Sequence, residues 1–471
     1  MPPSPPDDFP PAPAVRAQQD KKKLGIGGCL IAAVVVVALL ILIPAIAYQF
    51  WNRAAAQRVE AHLAGIRQLG EPVSGSEMLA SYQTPDEDAT EFWLVAFGEL
   101  ENPSFEAAAR ALPIVGESDD PIPAPGQPWA QQAEVVAFLE TFAAPLDSLH
   151  TAAEMGGSAR YPLHFQGIAT LLPHVETART AARMLSLEFH LRLREGNTAA
   201  ATRSLRTLFR LGRSLENEPI LISQLVQVAI HQMGLELVRK HVPLANFADD
   251  EVEMLQNEIR EIDVKQSFVL AQQGERVFGI SAFTNQEEMA AIVGGSGAAS
   301  RLLGSNEDFA FYLETMTNVV EAVKKPWPEA MAASTESAEL IEARTKTWLE
   351  RLRYPVTAML VPAVEAALSA AAQGHAACQL TDAALAIERF QRSHGALPPS
   401  WDDLVPEFLP AVPLDPFDDA ARPLRFRRDE ESLRIYSIGR DRVDDGGDFD
   451  GDFWETPDLL YRRRANLAPQ K

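Results

Sequence analysis

Between residues 24 and 52 the chain carries no charged side chain, and Ile, Val, Leu and Ala fill most positions from 26 to 47. At about 1.5 Å per residue, that stretch spans roughly 33 Å as a helix, enough for a hydrocarbon core of about 30 Å. Pro44 falls in its last turns, where a lost backbone bond costs least, and Tyr48 and Trp51 stand where amphipathic aromatics favour an interface. The pattern predicts one transmembrane helix over residues 24–48. A buried helix of a soluble protein would normally interrupt such a run with polar residues, and a cleaved signal peptide carries a shorter apolar stretch of about 7 to 15 residues. Arg16, Lys21, Lys22 and Lys23 precede the run, while Arg53, Arg58 and Arg67 follow it more thinly. That balance places the N-terminus in the cytoplasm and the bulk of the chain outside it, as in a single-pass protein of a bacterial inner membrane. The tail, residues 1–23, is rich in proline and reads as a disordered cytoplasmic spacer.

Beyond the span the periodicity changes. From about residue 54 to residue 348 the apolar positions recur mostly at helical spacing and strand-like alternation is nearly absent, which predicts a large all-α extracytoplasmic domain over 49–355. A proline-rich loop at 116–128 marks a sub-boundary within it. Helices are expected at 129–154, 162–195, 197–215, 218–241, 249–275, 308–324 and 328–353. At 195–198 the hairpin chemistry is explicit, with Gly196 as a C-terminal cap and Asn197 as the next N-cap. The hairpin is similar to a single tetratricopeptide unit, without the recurrence of roughly 34 residues that would make an array.

A last long apolar helix begins at Val356 and is stopped by Gly395 and Pro398-Pro399. Two strand candidates follow, 424–428 and 433–438, and then an acidic glycine loop. Residues 356–471 therefore read as a long helix with a small α+β module. The fold class is mainly α: a transmembrane helix, a large all-α domain, and a small C-terminal α+β unit.

Charge narrows the partners. The 42 Lys and Arg against 65 Asp and Glu leave a formal charge of −23, which argues against nucleic acid as a partner. With only Cys29 and Cys378, neither a disulfide framework nor a cysteine zinc site is available. Arg203, Arg206, Arg210 and Arg213 line one helix face, either as a stripe for a carboxylate-rich or phosphate-bearing partner or as an outer face paired with acidic neighbours. No catalytic motif emerges. Gly294-Gly295-Ser296-Gly297 lacks the Gly-Lys-Ser/Thr ending of a phosphate loop, and there is no His-Glu-x-x-His. His150, His164 and His174 are too far apart in sequence to define a site and read as capping or satisfied core residues.

Between about residues 376 and 450 the chain resembles a known family, the C-terminal globular part of the major pseudopilin of type II secretion systems. The resemblance is carried by Ala386-Ile387-Glu388-Arg389-Phe390, His394-Gly395-Ala396-Leu397-Pro398, Leu404-Val405, Pro413-Leu414-Asp415-Pro416-Phe417, and Tyr436-Ser437-Ile438-Gly439-Arg440-Asp441 with Asp444-Asp445-Gly446-Gly447-Asp448. It implies an extracytoplasmic pilin-like module whose acidic loop binds Ca²⁺ through Asp441, Asp444, Asp445, Asp448 and Asp450, with Asp452 as a further oxygen donor. Ca²⁺ takes six to eight oxygens in irregular geometry, so such a loop is chemically suited to it. In pseudopilins the membrane helix runs directly into the globular helix, whereas here about 300 residues intervene. Leu30 also stands where a cleavage at Gly25 would call for glutamate. In layout the whole chain is similar to large single-pass membrane proteins of planctomycete-type bacteria, which brings no activity with it. The sequence thus points to a membrane-anchored scaffold or interaction protein that contacts the lipid bilayer through residues 24–48 and a protein partner in the cell envelope. A secretion-pseudopilus component and an envelope hydrolase with a site between helices are the alternatives.

Overall fold

A computed structural model describes residues 26–167, 170–285, 287–288, 305–360, 362–429, 432–447 and 458–464. The tail 1–23, the glycine cluster at 294–297 and the candidate ligands Asp448, Asp450 and Asp452 lie outside them. The chain divides into two compact units, Met1–Ala54 and Ala55–Lys471.

The first helix, α1 (Ile26–Gln68), is continuous through the uncharged run and beyond it. Within the first unit Val35, Val36, Leu39, Leu42, Ile43, Ile46, Phe50 and Trp51 are all exposed. In the second unit the same helix buries Ala55, Val59 and Ile66. A further helix, Leu221–His241, is long and apolar enough to cross a membrane, but 67% of its most apolar stretch is buried inside the protein, so it is a core helix.

The second unit is mainly helical with one small antiparallel sheet. After α1 come α2 (Gly75–Ser81), α3 (Thr90–Leu100), α4 (Pro103–Ala109), α5 (Gln132–Thr141), α6 (Ala143–Glu154), α7 (Pro173–Arg194), α8 (Thr198–Arg213), α9 (Leu221–His241), α10 (Asp249–Arg260) and α11 (Val264–Thr284). They are followed by α12 (Asn306–Lys324), α13 (Trp327–Arg344), α14 (Trp348–Arg353), α15 (Pro355–Leu360) and α16 (Pro362–His394). The α7–α8 hairpin forms as its sequence dictates. Gly196 adopts φ 73°, a left-handed conformation that glycine takes without strain, and the Asn197 side chain accepts from the Ala200 N–H at 3.0 Å.

Several expected helices are shorter than their apolar pattern. The stretch 129–154 breaks at Phe142, one residue before α6, and Pro145 sits in the first turn of that helix, where proline is tolerated. The stretch 249–275 breaks because the Asp263 carboxylate accepts from the Gln266 N–H at 2.9 Å and starts α11 afresh. Pro173 likewise begins α7 and leaves 162–167 and 170–172 out of the helix.

Strands β1 (Arg425–Arg428), β2 (Ser432–Ser437) and β3 (Leu459–Arg464) form the sheet in the order β1-β2-β3. The helical core runs through residue 356 without interruption, since Ala371, Ala376, Leu380 and Ile387 of α16 share one buried cluster with Leu235, Leu255 and Phe268. Helix α11 comes so close to the chain before α9 that a Cβ on Gly274 would lie 1.8 Å from the Pro219 carbonyl oxygen. A second cluster joins Trp93, Phe97, Phe138 and Leu149 to Leu185 and Leu208 on the inner faces of α7 and α8.

Candidate functional site

In the C-terminal module the motif residue Asp415 is fully buried, and its carboxylate accepts from Ser437 Oγ at 2.7 Å, the Ile438 N–H at 2.9 Å and the Phe417 N–H at 3.1 Å. It ties the turn at 413–417 to the end of β2. Burial pushes its carboxyl above the usual range, against those hydrogen bonds and the nearby Arg425.

The acidic loop follows directly. Of its candidate ligands, Asp441 is exposed and among the described residues accepts only from the Val443 N–H, at 3.1 Å, and Asp445 is exposed. Asp444 is committed elsewhere. It takes the Tyr436 hydroxyl at 2.9 Å, the Gly446 N–H at 3.1 Å and the Arg425 guanidinium at 3.3 Å. Burial works against its charge, but these partners outweigh it and hold the carboxyl below the usual range.

A further acid at the same place is absent from the sequence pattern. Asp458, at the foot of β3, is 1% exposed; one oxygen accepts from the Gly447 N–H at 2.9 Å and the other, Oδ1, has no partner among the described residues. Burial raises its carboxyl despite the Gly447 bond, and the charges of Asp445, Asp444 and Asp441 raise it further. Gly446 and Gly447 take φ 84° and 64°, which lets the backbone fold between these acids. Among the described residues no three His, Cys, Asp or Glu side chains already stand together as a metal-binding group.

The arginine stripe of α8 is satisfied internally. Arg203 meets Glu154 at 2.8 Å, and Arg213 pairs with Glu261. Arg206 and Arg210 converge on the buried Glu258 at 2.9 and 2.7 Å. The stripe is a helix-to-helix contact and presents no free guanidinium row to a partner.

The histidines separate into two kinds. His150 is buried with both ring nitrogens occupied, Nδ1 by Thr207 Oγ1 at 2.7 Å and Nε2 by Glu188 at 2.9 Å. His174, at the start of α7, makes the second kind. Its Nε2 lies 3.0 and 3.1 Å from the two oxygens of Glu218, a carboxylate with no exposed surface, while Nδ1 has no hydrogen-bond partner among the described residues.

The ring is fixed in place by stacking on Tyr161, with centroids 4.4 Å apart, and Tyr161 in turn stacks on Phe97. Tyr161 is anchored through its hydroxyl to Ser214 Oγ at 2.8 Å and through its backbone N–H to the Tyr82 hydroxyl. Beside His174 opens a cavity of about 540 Å³. Leu94, Phe97 and Gly98 of α3 form one wall, Pro162, His164 and Leu171 another, and Glu101 lies at the edge. The sequence separates His164 and His174 from α3 by more than sixty positions, so spacing alone does not reveal that they share a cavity.

No family model matches this chain, and no curated protein or solved structure matches it either.

Proposed function

We propose that the protein is a single-pass scaffold of a bacterial inner membrane, anchored through residues 24–48. Its tail faces the cytoplasm and residues 49–471 face outward to meet a protein partner in the cell envelope. The reading rests above all on α1, where eight large apolar side chains are exposed within a stretch that holds no charge. Exposed apolar surface of that extent on one helix is costly in water and costs nothing in hydrocarbon. The test is extraction of the full chain from cell membranes at alkaline pH, with a labelling arm. An Asp402→Cys variant in a Cys29→Ser background carries an exposed thiol, whereas the native Cys378 is buried. Retention in the membrane pellet and labelling of intact spheroplasts by an impermeant maleimide are expected. Release at alkaline pH, or labelling only after lysis, removes the proposal.

The pilin-like module belongs to the same reading, with Ca²⁺ as a structural ion of its acidic loop. Asp458 Oδ1, which has no partner among the described residues, supports it, because a buried carboxylate oxygen without a donor is costly unless a cation takes it. In this reading Asp441, Asp445 and Asp458 are drawn together by the ion, with Asp448 and Asp450, which lie outside the described residues, as further ligands; Asp444 supports the loop through Arg425. Calcium at saturating concentration raises the thermal midpoint of the full chain by several degrees, and Asp458→Asn abolishes the increment. An unchanged midpoint with calcium and with chelator would falsify the metal site and leave the anchor untouched.

A further inference from the structure

The two buried histidine–carboxylate pairs form an internal comparison. His150 and Glu188 are saturated by the protein, so that pair is part of the core. His174 and Glu218 are built to the same plan, but one ring nitrogen is left over at the wall of a cavity. Glu218 accepts, so Nε2 carries the hydrogen, and in the neutral ring Nδ1 offers a lone pair. The aromatic stack of Phe97, Tyr161 and His174 keeps that lone pair in a fixed direction.

The charge of the cavity is one-sided. Among the described residues Glu101 is the one formally charged side chain of the lining, Glu218 lies directly behind His174, and no Lys or Arg lines the wall. Leu94, Phe97, Pro162 and Leu171 supply an apolar floor and rim, and Leu171 is 81% exposed. A volume of this size lies within the range that holds a small organic molecule. An anionic head group would meet two carboxylates and no cation.

We infer that this cavity binds a small primary amine with an apolar body, its ammonium donating to His174 Nδ1 and pairing with Glu101 while the body rests on Leu94 and Phe97. The site stands apart from the acidic loop and does not depend on the membrane reading. Only association is involved, with no bond made or broken.

The experiment uses the full chain in neutral-lipid nanodiscs and two probes of one shape, cyclohexylmethylamine and cyclohexanecarboxylate, followed by saturation-transfer NMR against empty discs. Saturable binding of the amine and at least tenfold weaker binding of the carboxylate are expected. Two variants test the placement. Glu101 is exposed, so Glu101→Gln leaves the fold intact and lowers amine affinity at least threefold. Gly98→Leu fills the cavity, since a Cβ there meets no atom within 4 Å, and removes binding without lowering the thermal midpoint. Equal binding of the two probes, or amine binding unchanged in both variants, overturns the inference.

Discussion

Lowering the pH from 7 to 4.5 reduces the thermal midpoint of the folded unit by ten degrees or more. Burial pushes His231, His241 and His375 down to about 4 and His190 to about 3. Nearby charges act in the same direction on His190, through His241, Lys240 and Arg194, whereas the bond from His231 to the Phe209 carbonyl resists the shift. A histidine depressed in the folded state contributes stability that is complete above its unfolded value of about 6.5 and is lost as pH falls toward the folded value. Each pH unit over which a group stays depressed corresponds to about 1.4 kcal/mol, so between pH 6.5 and 4.5 each histidine withdraws on the order of 3 kcal/mol at most.

Carboxyls raised by burial oppose this, Glu216, Asp382, Asp415 and Asp458 by small amounts and two others by more. Burial raises Glu275 to about 7 and Asp308 to about 6, so both favour the folded state in acid and withdraw that support as pH rises through those values. The four large histidine shifts outweigh the two large carboxyl shifts and the smaller ones beside them, and the net slope between pH 6.5 and 4.5 is toward unfolding. Calorimetry across that range checks it. A midpoint that is flat or rises on acidification contradicts the assignment, and His231→Asn, which keeps a donor for the Phe209 carbonyl, flattens the curve if it is right.

Where chemistry is local, the sequence is a good guide. The uncharged run lies within one helix, Gly196 and Asn197 cap the α7–α8 hairpin, and the two strand candidates pair as β1 and β2. Breaks inside apolar stretches are harder to read, because a single side-chain cap such as Asp263 ends one helix and begins another while the hydrophobic pattern continues. Strand β3 is obscured for a different reason. Its inward-facing positions are Leu459, Tyr461 and Arg463, and an inward arginine disrupts the alternation unless its partner is known. That partner is Glu388 on α16, 2.6 Å from Arg463 and also bonded to the Tyr461 hydroxyl.

The candidate sites divide along the same line. Asp441, Asp444 and Asp445 are legible as an acidic glycine loop, yet only the fold distinguishes Asp444, held by Arg425, from its neighbours and brings Asp458 beside them. The stripe on α8 is legible as a row of charges, but its neutralisation by Glu258 requires knowing that α10 lies against it. The cavity beside His174 is assembled from α3, the extended segment before α7 and α7 itself, and no window of sequence contains it.

Glu71→Ala destabilises the folded unit by about 3–5 kcal/mol, the cost typical of removing one partner from a buried ion pair. Glu71 lies in the turn that ends α1, 8% exposed, with Oε2 accepting from Arg276 Nη2 at 2.7 Å and Oε1 from Lys324 Nζ at 2.6 Å. Burial alone would raise its carboxyl, but the two cations hold it below the usual range.

Arg276 has no exposed surface, and among the described residues its Nε and Nη1 have no acceptor, so Glu71 is the carboxylate that neutralises it. Without Glu71 a guanidinium remains buried and uncompensated, and the turn after α1 loses its ties to α11 and α12. Lys324 loses less, being partly exposed and also paired with Glu321 at 2.6 Å. The double variant Glu71→Leu with Arg276→Met separates charge burial from lost packing, since exchanging a buried pair for apolar side chains is often neutral. Urea unfolding then shows a large loss for Glu71→Ala and recovery of most of it in the double variant. A loss below about 1 kcal/mol for Glu71→Ala would place the pair among weakly coupled surface contacts and remove the triad as the clamp between α1 and the helical core.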